Sequence, residues 1–246
     1  MTRIVLVHGA WHDASCWADV LAELSRRGRD AVAVDLPADR PGLGAEDYAS
    51  TVVAAAGDGP VLLVGHSLGG LTVPVAAQRL GPERVRALVL LAALVPRPGR
   101  SFDDQLRADR SIMARGFGRG RQRHDDGTTS WPPEAAVTGL YRGVAEVAGA
   151  ERVAAAVRGL RRQAWTVSEE VTPLTAWPDV PTVAVVCAED RVVDPARLRR
   201  AAGEIGAAVV ELPGGHFPML TGPVELAALL DRLADAPGDQ GGAGPV

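Results

Sequence analysis

Val61-Leu-Leu-Val-Gly-His-Ser-Leu-Gly-Gly70 decides the fold. The apolar run Val61 to Val64 has the length of a buried strand. Leu71 to Leu80 reads as a helix with Val73, Ala76, Ala77 and Leu80 on one face. Between them Ser67 stands at the apex of a tight turn with Gly65 and Gly69 on either side, a G-x-S-x-G arrangement. A serine turned sharply enough to hold its hydroxyl clear of a sheet occupies a strained backbone conformation. The strand and helix then approach so closely that side chains at 65 and 69 would clash. The glycines are therefore part of the chemistry, and Ser67 is the candidate nucleophile.

Working outward, the pattern on both sides is a parallel sheet. Arg3 to Val7 is a β-branched strand ending at His8-Gly9, and Ala14 to Arg27 is an amphipathic helix stopped by Gly28. Ala31 to Val34, a helix near Ala45 to Ala56, the elbow strand and helix, and Val85 to Ala92 complete a β-α-β-α-β-α-β order. Pro181 to Cys187, a helix from Pro195 to Ile205, a strand at Ala208 to Leu212 and a helix from Val224 to Ala234 resume it. Residues 1–95 and 176–236 are thus expected to form the α/β core. The stretch 96–175 shows helical segments at Glu134 to Tyr141 and Glu151 to Arg162 and no evident sheet strand, so it is expected to be a helical cap. Its eight arginines between 97 and 123 read as a solvated face. The Gly/Pro-rich residues 237–246 are expected to be a disordered tail.

Composition narrows the function. The 246 residues are 47% hydrophobic and 23% charged with a net charge of −4, which gives no reason to expect nucleic acid or membrane as partner. No apolar run reaches the ~18 residues of a membrane span, and a cytoplasmic protein is expected. The 26 basic residues are all arginine, which removes Schiff-base and P-loop lysines. Cys16 and Cys187 stand far apart without C-x-x-C spacing, so neither a disulfide framework nor a metal site is expected, and no cofactor is implied.

A serine hydroxyl needs an adjacent base, and the base an orienting carboxylate; on an elbow both follow the serine in the chain. Of the five histidines, His124 and His216 lie far enough downstream. His124 falls in the Gly-rich cap, whereas His216 follows the last strand in Pro213-Gly-Gly-His-Phe-Pro218. His216 is the candidate base. The strand ending at Cys187 runs into Ala188-Glu-Asp-Arg-Val-Val-Asp194, where Asp190 is the candidate acid and Glu189 the fallback. Asp194, before Pro195, reads as a helix N-cap. The backbone N–H groups of Leu68 and Ala10 are the candidate oxyanion donors. His8 and His66 read as structural hydrogen-bonding residues. Trp11, His12 and Phe217 on the core side and Trp131 from the cap, with Tyr141 or Trp165 beside it, are candidate substrate contacts.

These motifs, Val7-His-Gly-Ala-Trp-His12, Asp35-Leu-Pro37, Gly65-His-Ser-Leu-Gly-Gly70, Cys187-Ala-Glu-Asp190 and Gly214-Gly-His216, resemble the α/β-hydrolase superfamily nearly end to end. The nearest likeness is the branch of small esterases that includes plant salicylate and jasmonate methyl esterases, hydroxynitrile lyases and bacterial relatives. The resemblance implies an α/β-hydrolase fold of about six mostly parallel strands with a helical cap, and Ser67, Asp190 and His216 as a catalytic triad. Hydroxynitrile lyases of that branch carry Thr where Gly9 stands and Lys where Phe217 stands, so hydrolysis of a small-molecule ester through an acyl-enzyme is expected. Thioesterase, lactonase, cyclase or lyase chemistry is the alternative, and a non-catalytic ligand-binding protein comes third.

Overall fold

In a computed structural model, which describes residues 1–235, the chain builds a six-stranded parallel sheet. Its strands are β1 (Arg3–Val7), β2 (Ala31–Val34), β3 (Val61–His66), β4 (Val85–Leu91), β7 (Thr182–Cys187) and β8 (Ala208–Leu212). A separate two-stranded ribbon pairs β5 (Gln122–Arg123) with β6 (Thr129–Ser130). The order across the main sheet is β2-β1-β3-β4-β7-β8. Every residue of β3 is buried, which is why that strand reads as an unbroken apolar run rather than an alternating one. The helix Ala18–Arg26 packs on Pro223–Asp235, and Ala45–Ala55 packs on Val73–Leu80, so that helices flank the sheet. Because the strands are parallel, the loops after β1, β3, β7 and β8 emerge along one edge, and they carry every candidate catalytic residue.

The structure differs from expectation at the elbow and at three places in the segment 96–175. The elbow leaves β3 through a 3-10 turn, Ser67–Leu71, before the α-helix Val73–Leu80 begins with Pro74 in its first turn. The segment 96–175 is not strand-free, since the β5–β6 ribbon turns at Gly127 (φ +80°) and Thr129 then exchanges both backbone hydrogen bonds with Gln163 at 2.9 Å. Two-residue strands carry no period to read. A helix at Phe102–Ala108, N-capped by Ser101, also occupies sequence that looks irregular. The helix expected to end at Arg162 stops at Arg158, and the chain beyond it runs back toward the loop after β1. The tail predicted at 237–246 lies outside the described residues.

Candidate active site

Ser67 has φ +50°, a left-handed conformation held by a β-region residue before it and a 3-10 turn after it. Such a conformation in a non-glycine residue costs about 1–3 kcal/mol and persists only where its surroundings enforce it. Here they do. A Cβ on Gly69 would lie 2.9 Å from the carbonyl oxygens of both Val7 and His8, and one on Gly65 would lie 2.8 Å from the Gly69 carbonyl oxygen. A Cβ on Gly9 would lie 2.8 Å from Ser67 Cβ. Gly69→Ala pushes against backbone that cannot swing aside, so it is expected to cost about 2–3 kcal/mol, read as a lowered urea midpoint at unchanged slope. A midpoint equal to wild type would mean that the elbow does not need the glycine.

Asp190 and His216 come together. Asp190 occupies the turn after β7, where its Oδ1 accepts the N–H groups of Val192 (2.7 Å) and Val193 (3.0 Å). Its Oδ2 lies 2.7 Å from His216 Nδ1, with both side chains almost wholly buried. The carboxylate accepts, so Nδ1 carries the hydrogen and Nε2 is left with the lone pair. The His216 loop is set by Gly214 (φ +86°), whose carbonyl accepts the Glu189 N–H. Glu189 itself is exposed, and Asp194 caps the helix Pro195–Glu204 by accepting from Ala196 and Arg197. His66, next to Ser67, donates from Nε2 to the His216 carbonyl at 2.9 Å, so the elbow and the imidazole loop are directly tied. No hydrogen bond joins Ser67 Oγ to the His216 ring among the described residues, and contacts of this kind are commonly long in unliganded sites and tighten around substrate.

Ala10 and Leu68 share a cavity of about 330 Å³ with Ser67. Among the described residues the Ala10 N–H has no acceptor, and Leu68 is second in a 3-10 turn, where an amide has no acceptor within its helix. The loop carrying Ala10 is braced from several sides. Trp11, itself at φ +64°, donates its N–H to Gln163 Oε1. His8 donates from Nδ1 to the Gly9 carbonyl and accepts the Leu36 N–H at Nε2, while His12 bonds the Ala10 carbonyl and the Tyr141 hydroxyl, both at 2.7 Å. Arg161 clamps the assembly, donating to the His12 and Leu36 carbonyls and pairing with Asp35 at 2.6 Å. Burial drives the His8 pKa down to about 3 and that of His12 to about 4, and holds His66 well below its usual value. All three are therefore neutral hydrogen-bonding groups at pH 7. Cys187 is buried, its thiol pushed up to about 12 by desolvation.

The walls of the Ser67 cavity differ from the predicted substrate contacts. Trp11 is among them, but His12, Trp131 and Phe217 are not. Trp131 stands edge-on behind Trp11 at 5.6 Å, and Phe217 is packed between Tyr141 and His216. Phe217 lines the neighbouring cavity that holds His216, and His12 lines another together with Tyr141 and Phe217. Of the cap alternatives Trp165 is in this wall and Tyr141 is not, and Phe117 and Arg121 line it as well. Arg121 lies in the arginine run that reads as a solvated face, and it is exposed there, yet the fold also brings it to the wall of this cavity after Gly116, Gly118 and Gly120, all at positive φ. Among the described residues no cluster of three or more His, Cys, Asp or Glu could hold a metal ion, and no helix is long and apolar enough to cross a membrane.

Comparison with known proteins agrees with this architecture. A model of the alpha/beta hydrolase family matches residues 4–229. A probable esterase of rice, Oryza sativa, PIR7A, is 40% identical over 109 residues, 40% of this chain and 41% of the rice protein, so that match spans about two fifths of its length. A pyrethroid hydrolase of Sphingobium wenxiniae is 27% identical over 259 residues, covering 97% of this chain and 90% of that protein. Among solved structures, a pyrethroid hydrolase from Sphingobium faniae superposes with a TM-score of 0.75 at 26% identity, over 96% of this chain and 98% of the other.

Proposed function

Since the chain belongs to the alpha/beta hydrolase family, we propose that it is a serine hydrolase of small carboxylic esters. In this reading Ser67 Oγ attacks the ester carbonyl as His216 Nε2 takes its proton. The Ala10 and Leu68 N–H groups donate to the developing oxyanion, and His216 returns the proton to the leaving alcohol. Water, activated by the same imidazole, then releases the acid from the acyl-serine. Asp190 holds His216 in the required tautomer and stabilises the imidazolium that forms. The observation that carries the reading is the 2.7 Å bond between Asp190 and His216, whose loop is hydrogen-bonded to His66, the residue before a serine held in a left-handed elbow.

The cavity lies at the small end of the ligand-pocket range of about 300–1,000 Å³, and its walls are largely aromatic and aliphatic. That combination favours a compact ester with apolar parts, held under the segment 96–175 acting as a cap. The relatives named as esterases and a pyrethroid hydrolase support an ester as the substrate. The test is direct: the purified protein should hydrolyse short-chain nitrophenyl esters with release of one alcohol per acid. Absence of turnover across acetate, butyrate and hexanoate esters would overturn the reading.

A further inference from the structure

Among the described residues, five of the thirteen arginines of the segment 96–175 pair with carboxylates: Arg97 with Glu204, Arg107 with Asp104, Arg152 with Asp19, Arg161 with Asp35 and Arg162 with Asp126. Arg121 is held differently. Its guanidinium carbon sits 5.6 Å from the ring centres of both Trp11 and Trp165, and its Nε donates to the Gly118 carbonyl at 3.3 Å. The same residue lines the cavity that contains Ser67. Asp103 and Glu169 belong to that wall too, yet neither forms an ion pair with it among the described residues.

The electrostatics agree with an unmatched cation. Arg121 is exposed, yet its pKa is lowered by desolvation, and no neighbouring carboxylate acts to raise it. Two indole faces recover part of the lost hydration while leaving the two terminal nitrogens of the guanidinium without a hydrogen-bond partner among the described residues. They also fix the group, so that an arriving anion would meet a donor fork already in place, at little entropic cost.

We propose that Arg121 is the anion anchor of the Ser67 cavity, so that the preferred esters carry a second, negatively charged group such as a carboxylate remote from the scissile carbonyl. This rests on the esterase reading above and names its substrate class. Hydrolysis of such a half-ester releases the alcohol and leaves a dicarboxylate when the charge lies on the acyl side. When it lies on the alcohol side, a carboxylated alcohol departs.

The test compares charged and neutral esters in pairs, monomethyl with dimethyl suberate and 4-carboxyphenyl with phenyl acetate, for wild type, Arg121→Gln and Arg121→Lys. The ratio of kcat/KM for the charged over the neutral member should fall by about tenfold in Arg121→Gln for at least one pair, the scale of one charge-assisted hydrogen-bonded contact. The change should lie in KM, and Arg121→Lys should restore part of it. Ratios in Arg121→Gln within twofold of wild type for both pairs would overturn the proposal. Should none of the four esters turn over, it is the hydrolase reading that fails. Tryptophan fluorescence then reads Arg121 by itself, since Trp11 and Trp165 flank it. Suberate should bind wild type about tenfold more tightly than Arg121→Gln, and equal Kd values would overturn the anchor.

Discussion

Ser67→Ala should lower kcat/KM for a short-chain nitrophenyl ester by at least about 10⁴-fold while leaving the fold intact. The substitution removes one oxygen from a side chain that makes no hydrogen bond among the described residues, and alanine occupies the same left-handed φ as serine with similar strain, so the melting temperature should stay near that of wild type. What is lost is the covalent route. The Ala10 and Leu68 amides remain to polarise a bound carbonyl, which is why a residual rate above that of water is expected rather than none. Ser67→Gly sharpens the point, because glycine adopts φ +50° without strain. It should be as inactive as Ser67→Ala and more stable by about 1 kcal/mol, the lower end of the strain attributed to such a residue. Turnover by Ser67→Ala within tenfold of wild type would remove Ser67 from the mechanism.

Mild acid should weaken the folded state strongly. His8, His12 and His66 are buried neutral, with pKa values depressed mainly by desolvation, His8 to about 3 and His12 to about 4. In the unfolded chain each takes up a proton near pH 6.5. The unfolded state therefore binds more protons at any pH between these values, and stability, full above about pH 7, is lost as the pH falls. At pH 5 each such histidine costs about 2 kcal/mol, so His8 and His12 together cost about 4 kcal/mol. His66 acts in the same direction. For a chain of this length that corresponds to a Tm lower by about 8–16 °C at pH 5 than at pH 7.5. A flat Tm across that interval would mean that these rings accept protons in place. The comparison also separates stability from catalysis, since a fall in activity that tracks the Tm reports unfolding and not titration of the base.

The elbow and the sheet were legible because they are written locally. Val61 to Val64 is continuously apolar, as a strand covered on both faces must be, and the glycines at 65 and 69 mark a turn whose crowding leaves no room for a Cβ. Asp190 and His216 were legible as candidates because parallel strands deliver their following loops to one edge, and the structure brings those two side chains within 2.7 Å. The walls of the cavity were not legible. Whether Trp131 or Phe117 faces the serine depends on how the segment 96–175 folds over the core, and its ribbon of two-residue strands has no period. Arg121 was hidden for a related reason. In sequence it is one of eight arginines in a Gly-rich run, and its distinction is only its position over Trp11 and Trp165. Arg161 and Gln163 likewise look like the end of a helix, whereas the chain has already left that helix to brace the loop after β1.

The claim on which the rest depends is that Ser67 is made nucleophilic by His216. Incubation with a fluorophosphonate followed by peptide mapping reads it most directly. The account predicts a single adduct, on Ser67, formed about 100-fold or more slowly in His216→Ala, in line with the loss of a general base. An ester-hydrolysing protein that carries its adduct on another residue, or that labels Ser67 equally fast without His216, would contradict it.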